Sequence, residues 1–436
     1  MSTSPPQVTA AEAEAHALDS ADPGPHRRGA FAVPRWPDGR HPDLAYFAGN
    51  SLGLQPHAVR QILAEELDDW ARLGVAGHEQ AGRPWVAYAD LLRGPAARLV
   101  GALPHETVAM NSLTVNLHLM MATFYRPSGI RTRIVIEDNA FPSDSYAVRS
   151  QAVHYGLDPD ETVVRLRPRP GEDCLRTEDI EAHLAEHGER TALVMLGGVN
   201  YLTGELLDIE RITRAGHAAG AVVGWDLAHA AGNVPLRLHE WGVDWAAWCS
   251  YKYLNSGPGA VAGCFVHERH AADPALPRLS GWFGHDLADR FRMPPVFRPT
   301  PDASAWQLSN PPILALAPVL ASLRIFDEVG MAALRERSLR LTGYLRRLLD
   351  DVTARRPLSV ITPREERAHG CQLSIRVGAG AGDVAVLSGT LRERHGVVAD
   401  VRRPDVIRFA PIPLYSTFHD CWRAADALAR TVAEDA

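Results

Sequence analysis

The chain has 436 residues, of which 46% are hydrophobic and 22% charged, ordinary globular usage that excludes global disorder and, at this length, a single small domain. With 45 basic against 52 acidic residues the formal charge is −7, so the electrostatic footprint that phosphate-backbone binding requires is missing and nucleic acid is not an expected partner. Five scattered cysteines contain no C-x-x-C pair, and no signal peptide or apolar run of the ~18 residues a membrane span needs is visible; the expectation is a cytoplasmic protein without a disulfide framework, a zinc site or a membrane partner.

In chain order, residues before about Pro42 are rich in Ala, Pro and charge and read as a flexible arm. Met110-Asn-Ser-Leu-Thr114 opens a segment in which Leu117, Met120, Met121 and Phe124 recur at helical spacing, so Ser112 and Thr114 would cap a helix whose start serves equally as a cap or as an anion cradle. Arg133–Glu137 is a short strand entering the turn-rich loop Asp138–Asp144. Thr191–Leu196 is a second strand, Leu207–Ala219 has helical spacing, and Ala221–Trp225 is a third strand ending in Asp226-Leu-Ala-His229. Strand, helix and strand repeated in this way predict an α/β fold with a parallel sheet, whose ligands sit outside the carboxyl ends of the strands. Asp144, Asp226, His229 and Lys252 fall at such ends. A helix around Leu314–Val329, with Pro318 inside it, is expected to link two domains, and Cys371–Val377 reads as a strand in which Cys371 is a small hydrophobe. The predicted organisation is an arm over 1–45, a large domain over 46–311 and a smaller α/β domain over 312–436.

Among the 45 basic residues only Lys252 is a lysine. A chain that uses arginine wherever any positive charge will do has kept one primary amine, and arginine cannot replace lysine where the chemistry needs an amine that loses its proton and attacks a carbonyl. Trp245-Ala-Ala-Trp-Cys-Ser-Tyr-Lys-Tyr precedes a Gly/Pro turn ending at Gly259. A lysine at the end of a buried strand, between two tyrosines, has the desolvated setting that favours imine formation. Asp226 precedes it by about one crossover. An acid in that position is by itself a common helix cap; paired with the sole lysine it fits pyridoxal 5′-phosphate, which needs a lysine for its aldehyde and a carboxylate that keeps the pyridine nitrogen protonated.

Seven segments in order, Tyr46-Phe-Ala-Gly-Asn-Ser-Leu-Gly53, Asn111-Ser-Leu-Thr-Val-Asn-Leu-His118, Phe141-Pro-Ser-Asp144, Asp226-Leu-Ala-His229, Ser250-Tyr-Lys-Tyr-Leu-Asn255, Gly281-Trp-Phe-Gly-His285 and Ser309-Asn-Pro-Pro312, together resemble kynureninase. The resemblance spans about Tyr46 to His419 and implies a fold-type-I pyridoxal-phosphate enzyme that hydrolyses the Cβ–Cγ bond of a kynurenine to alanine and an anthranilate. It also implies roles. Lys252 would bind the cofactor aldehyde and move the α-proton, Asp226 would hold the pyridinium, Phe141 would stack on the ring, and Asp144 and His229 would lie nearby. Leu113 through its backbone, Thr114 and Tyr251 would hold the phosphate, joined by Trp282 and Asn310 from the other subunit of a homodimer with shared sites. Tyr251 would also deliver a proton during cleavage, and Arg408 would grip the substrate carboxylate.

Three positions implied to flank the substrate ring, His78, Ser309 and Asn310, are all polar here, which resembles members preferring 3-hydroxykynurenine. The chain departs from the family at Gly197, where Ser or Thr is usual; Asn200 or a water would then have to supply the hydroxyl contact. Rival readings are another C–C lyase or an aminotransferase of the same fold, a cysteine desulfurase, disfavoured because 293–310 has no cysteine, and a cofactor-binding regulator, for which no DNA-binding appendage or basic face exists.

Overall fold

The computed structural model describes residues 9–37, 39–271, 273, 275–379 and 382–434. Two compact units result. The larger comprises Gln55–Tyr201 and Glu205–Met331, the smaller Met1–Leu54, Leu202–Gly204 and Ala332–Ala436.

The larger unit is built on a seven-stranded sheet: β1 Thr107–Ala109, β2 Arg133–Glu137, β3 Val163–Leu166, β4 Thr191–Gly197, β5 Val222–Asp226, β6 Trp245–Trp248 and β7 Gly263–Val266. Their spatial order is β1-β7-β6-β5-β4-β2-β3, parallel from β6 through β3, with β7 antiparallel to both neighbours. Near-continuous apolar runs such as Ile134-Val-Ile136 and Leu193-Val-Met-Leu196 are fully or almost fully buried, as expected of strands covered on both faces. At Gly224 a Cβ would lie 2.1 Å from the Trp245 ring, so glycine is what lets the β6 indole lie flat against β5. The sheet bears out the α/β expectation, and each strand read from the sequence lies within two residues of its place.

Two other expectations are corrected. Residues Ala10–Ala21 form a helix instead of a flexible arm; Thr9 Oγ1 accepts from Glu12 N at 3.1 Å, and Ala15 is buried in the same core as Phe418, Cys421 and Trp422. The Ala/Glu composition that looked like a linker is equally good helix-forming composition, and one small buried residue per turn gives too narrow an apolar stripe to notice. The helix Ile313–Val329 is present with Pro318 inside it, but its Ala317 and Ala321 pack on Val59 and Ile62 of the larger unit, so it is core and not merely connection.

The smaller unit carries an antiparallel sheet of β8 Leu358–Val360, β9 Leu373–Val377, β10 Asp400–Arg402 and β11 Val406–Phe409, in the order β10-β11-β9-β8. Leu373, Ile375, Ile407 and Phe409 of this sheet enter one core with helices Met331–Thr353 and Phe418–Glu434. Cys371 is buried, none of the five cysteines forms a disulfide, and no helix among the described residues is long and apolar enough to cross a membrane.

Candidate active site

Lys252 follows β6 in a loop that the strand's buried Trp-Ala-Ala-Trp run delivers to the carboxyl edge of the sheet. Its Nζ lies 3.1 Å from His229 Nε2, 6.0 Å from the centre of the Phe141 ring and 5.9 Å from that of Tyr251. The other His229 nitrogen, Nδ1, is 3.4 Å from the Tyr253 hydroxyl, which orients the imidazole from behind. Phe141 caps the helix Pro142–His154, where Pro142 suits the first helical position, and Tyr201 meets its ring edge-on at 5.1 Å between centroids.

Asp226 closes β5 and is buried; one carboxylate oxygen accepts from Ala228 N at 2.7 Å. The capping role and the catalytic role thus coexist, since the second oxygen is not needed for the turn. A side-chain hydrogen bond joins Asp226 to Asp144, in the first turn of the Phe141-capped helix. Burial pushes both carboxyls above their ordinary range, and Asp144 is pushed further by the neighbouring Asp226, whereas the Lys252 charge and the Ala228 N–H offset part of the rise at Asp226. Two buried acids in contact do not both ionise. The proton therefore resides on Asp144, which donates it to the Asp226 carboxylate.

Glu137, at the end of β2, is a third acid that sequence reasoning passed over. It is buried, its Oε2 accepts from Asn200 Nδ2 at 2.8 Å, and burial raises its carboxyl to about 7 against the opposing bonds from Asn200 and Gly197. Its position at a strand's carboxyl end was the available signal. A Cβ at Gly197 would lie 2.9 Å from Glu137 Oε1, so the glutamate takes the space beside position 197, and a hydroxyl side chain there would have to push it aside. Asn200, considered as a substitute for the missing hydroxyl, donates to Glu137 and, at 3.0 Å, to Asn139 Oδ1.

Leu113 and Thr114 open the helix Leu113–Phe124; its cap residue Ser112 is extended and its hydroxyl makes no capping bond. The helix start is tied to the lysine loop through one intervening segment: Met110 N donates to Ala262 O at 2.9 Å, Ala262 N to Asn111 O at 3.0 Å, and Ser250 Oγ to Val261 O at 2.6 Å. Burial holds the Tyr251 phenol above its ordinary range, so it stays protonated. A half-buried sole amine, a buried carboxylate, an aromatic face and a helix N-terminus with hydroxyls are the donor set that an aldehyde cofactor with a ring nitrogen and a phosphate requires.

His78, Trp282 and Asn310 fall elsewhere in the larger unit. They line one open cavity of about 500 Å³ with Trp85, Phe283 and Phe291, and none of the residues grouped around Lys252 lines it. Ser309 is exposed next to Asn310 and is not among the lining residues. The His78 ring meets Trp85 edge-on at 5.5 Å. Arg408, in the smaller unit, is fully buried on β11.

The family model for the kynureninase C-terminal domain matches residues 334–428. Kynureninase from Salinispora tropica is 66% identical over 421 residues, 97% of both chains; that from Koribacter versatilis is 53% identical over 93% of this chain and 94% of its own, and that from Myxococcus xanthus 52% over 98% of each. Among solved structures, the cystine C–S lyase C-DES in complex with cysteine persulfide superposes with a TM-score of 0.74 at 19% identity, covering 88% of this chain and 97% of its own. A cysteine desulfurase from Thermococcus onnurineus gives 0.72 at 16% identity, covering 90% and 95%. At such identities the likeness shows the fold, that of fold-type-I pyridoxal-phosphate enzymes, and nothing finer.

Proposed function

The chain belongs to the kynureninase family, and from that premise we propose that it hydrolyses the Cβ–Cγ bond of L-kynurenines, releasing L-alanine and an anthranilate. The observation that carries the reading is the sole lysine, 3.1 Å from His229, at the edge where the buried Asp226–Asp144 pair sits. Pyridoxal 5′-phosphate is the cofactor, and when bound it supplies an electron sink for the charge released at the substrate's Cα. The protein's own work is positional and protonic. Lys252 Nζ takes and returns the α-proton, Asp226 keeps the ring nitrogen charged, and Asp144 keeps Asp226 from facing a second negative charge. Phe141 covers the ring beside His229, while the Leu113 backbone, Thr114 and Tyr251 hold the phosphate. The protonated Tyr251 phenol gives its proton to the leaving carbon fragment, and Arg408 binds the α-carboxylate with its bidentate fork.

We assign Trp282 and Asn310 to the phosphate site of a second copy in a homodimer, a reading supported by their place in a cavity that shares no lining residue with the Lys252 group. A heterodimer of Lys252→Ala and Asn310→Ala chains then keeps one intact site and should show about half the wild-type activity per dimer, as two-fold symmetry with shared sites demands. Purified, doubly tagged heterodimers without activity would place both residues in cis.

The polar ring-flanking set favours 3-hydroxykynurenine. Buried donors and acceptors arranged for a hydroxyl are left unpaired when it is missing, which discriminates strongly. Measured kcat/KM should be at least about tenfold higher for 3-hydroxykynurenine than for kynurenine, about 1.4 kcal/mol, and His78→Trp should erode the ratio. Equal efficiency on both substrates would remove the specificity reading while leaving the reaction untouched.

A further inference from the structure

We propose that Asp400 is a positioning residue that fixes the plane of the Arg408 guanidinium for an incoming α-carboxylate. The proposal rests on the carboxylate-binding reading of Arg408 given above. In the antiparallel register Asp400 of β10 stands directly opposite Arg408 of β11, and Ser374 of β9 stands opposite it on the other side. Directly opposed residues share a face of the sheet. That face carries Gln372, Ser374, Asp400 and Arg408, whereas Leu373, Ile375, Ile407 and Phe409 point the other way into the core.

Asp400 Oδ2 lies 2.9 Å from Arg408 Nη2, and its Oδ1 lies 3.0 Å from Arg402 Nη1. The carboxylate is thus held from two sides and has little freedom to follow the guanidinium. Because the five guanidinium donors form one rigid planar fork, holding one nitrogen sets the direction of the rest. Next to it runs a buried polar line: Asn50 Nδ2 donates to Gln372 Oε1 at 2.7 Å, and Gln372 Nε2 to Ser374 Oγ at 2.9 Å. Asn50, Gln372, Ser374 and Arg408 are all 0% exposed. A buried ion pair is weak support for stability, since apolar residues of similar volume commonly do as well or better. Its value here is directional: it neutralises a buried cation before substrate arrives and keeps the fork in one orientation.

The test compares L-alanine with ethylamine, which differ only in the carboxylate, by titrating each into the holoenzyme and following the visible absorbance of the bound cofactor. Asp400→Ala should weaken L-alanine binding at least tenfold and leave ethylamine binding unchanged. Asp400→Asn keeps a similarly shaped acceptor and should lose about threefold for alanine alone; it decides the matter if the alanine variant does not fold. Unchanged or tighter alanine binding, or equal losses for both amines, overturns the proposal. Arg408→Gln is the control on its premise: it should collapse the alanine-to-ethylamine preference whatever Asp400 does, and a retained preference in that variant removes the carboxylate role of Arg408 and the proposal with it.

Discussion

Lys252→Arg is expected to abolish both the covalent attachment of the cofactor and turnover, with kcat falling at least about 10⁴-fold, the upper range for loss of a positioned general base. The substitution preserves positive charge and most of the side-chain volume, so it isolates the one property arginine lacks, a nitrogen that gives up its proton at working pH. The chain already makes this comparison, having only one lysine among 45 basic residues. The measurement is visible absorbance after dialysis against cofactor, together with product release. Wild-type protein should retain a yellow chromophore that survives dialysis and is reduced irreversibly onto Lys252 by borohydride; the variant should show neither. A variant that keeps the borohydride-stable label and turns over would remove Lys252 from the site.

Much of this site was legible in the sequence because chemistry and topology point to the same places. Lys252 stands out by residue type alone, and Asp226, Asp144 and His229 stand out by lying at the carboxyl ends of predicted strands or in the loops that follow them. Glu137 obeys the same positional rule but was missed, because an acid ending a strand normally reads as a solvated loop charge, and nothing in a single sequence shows that it is buried against Gly197. The Ala10–Ala21 helix was missed for the converse reason: its docking depends on one alanine per turn meeting a partner helix more than 390 residues away in sequence, as in the bonds from Phe418 N and His419 N to Asp19. Arg408 could be picked out only because it interrupts an apolar strand. Its pairing with Asp400 depends on β10–β11 register, which short strands do not announce.

Asp226→Asn is the second large effect. The substitution keeps the Ala228 N–H bond and the side-chain volume but removes the charge that holds the ring nitrogen protonated, and kcat should fall about 10²–10³-fold, comparable to deleting one preorganised electrostatic contact to developing charge. Asp144→Asn separates this role from mere bulk. The Asp144 carboxyl is raised by burial and by Asp226 beside it, so it is the protonated member, and an amide Nδ2 can take over its donation to the Asp226 carboxylate; the loss should stay within about tenfold, the size of one hydrogen bond. The sign of the pH dependence follows from the same assignment. Raising the pH through the elevated Asp144 range strips its proton and sets two carboxylates against each other, so wild-type kcat should decline on the alkaline side, and Asp144→Asn should flatten that limb while leaving the acid limb in place. Were the proton on Asp226 instead, the two substitutions would exchange their effects: Asp226→Asn would be mild and Asp144→Asn severe, which a pair of kcat–pH profiles on the two variants decides directly.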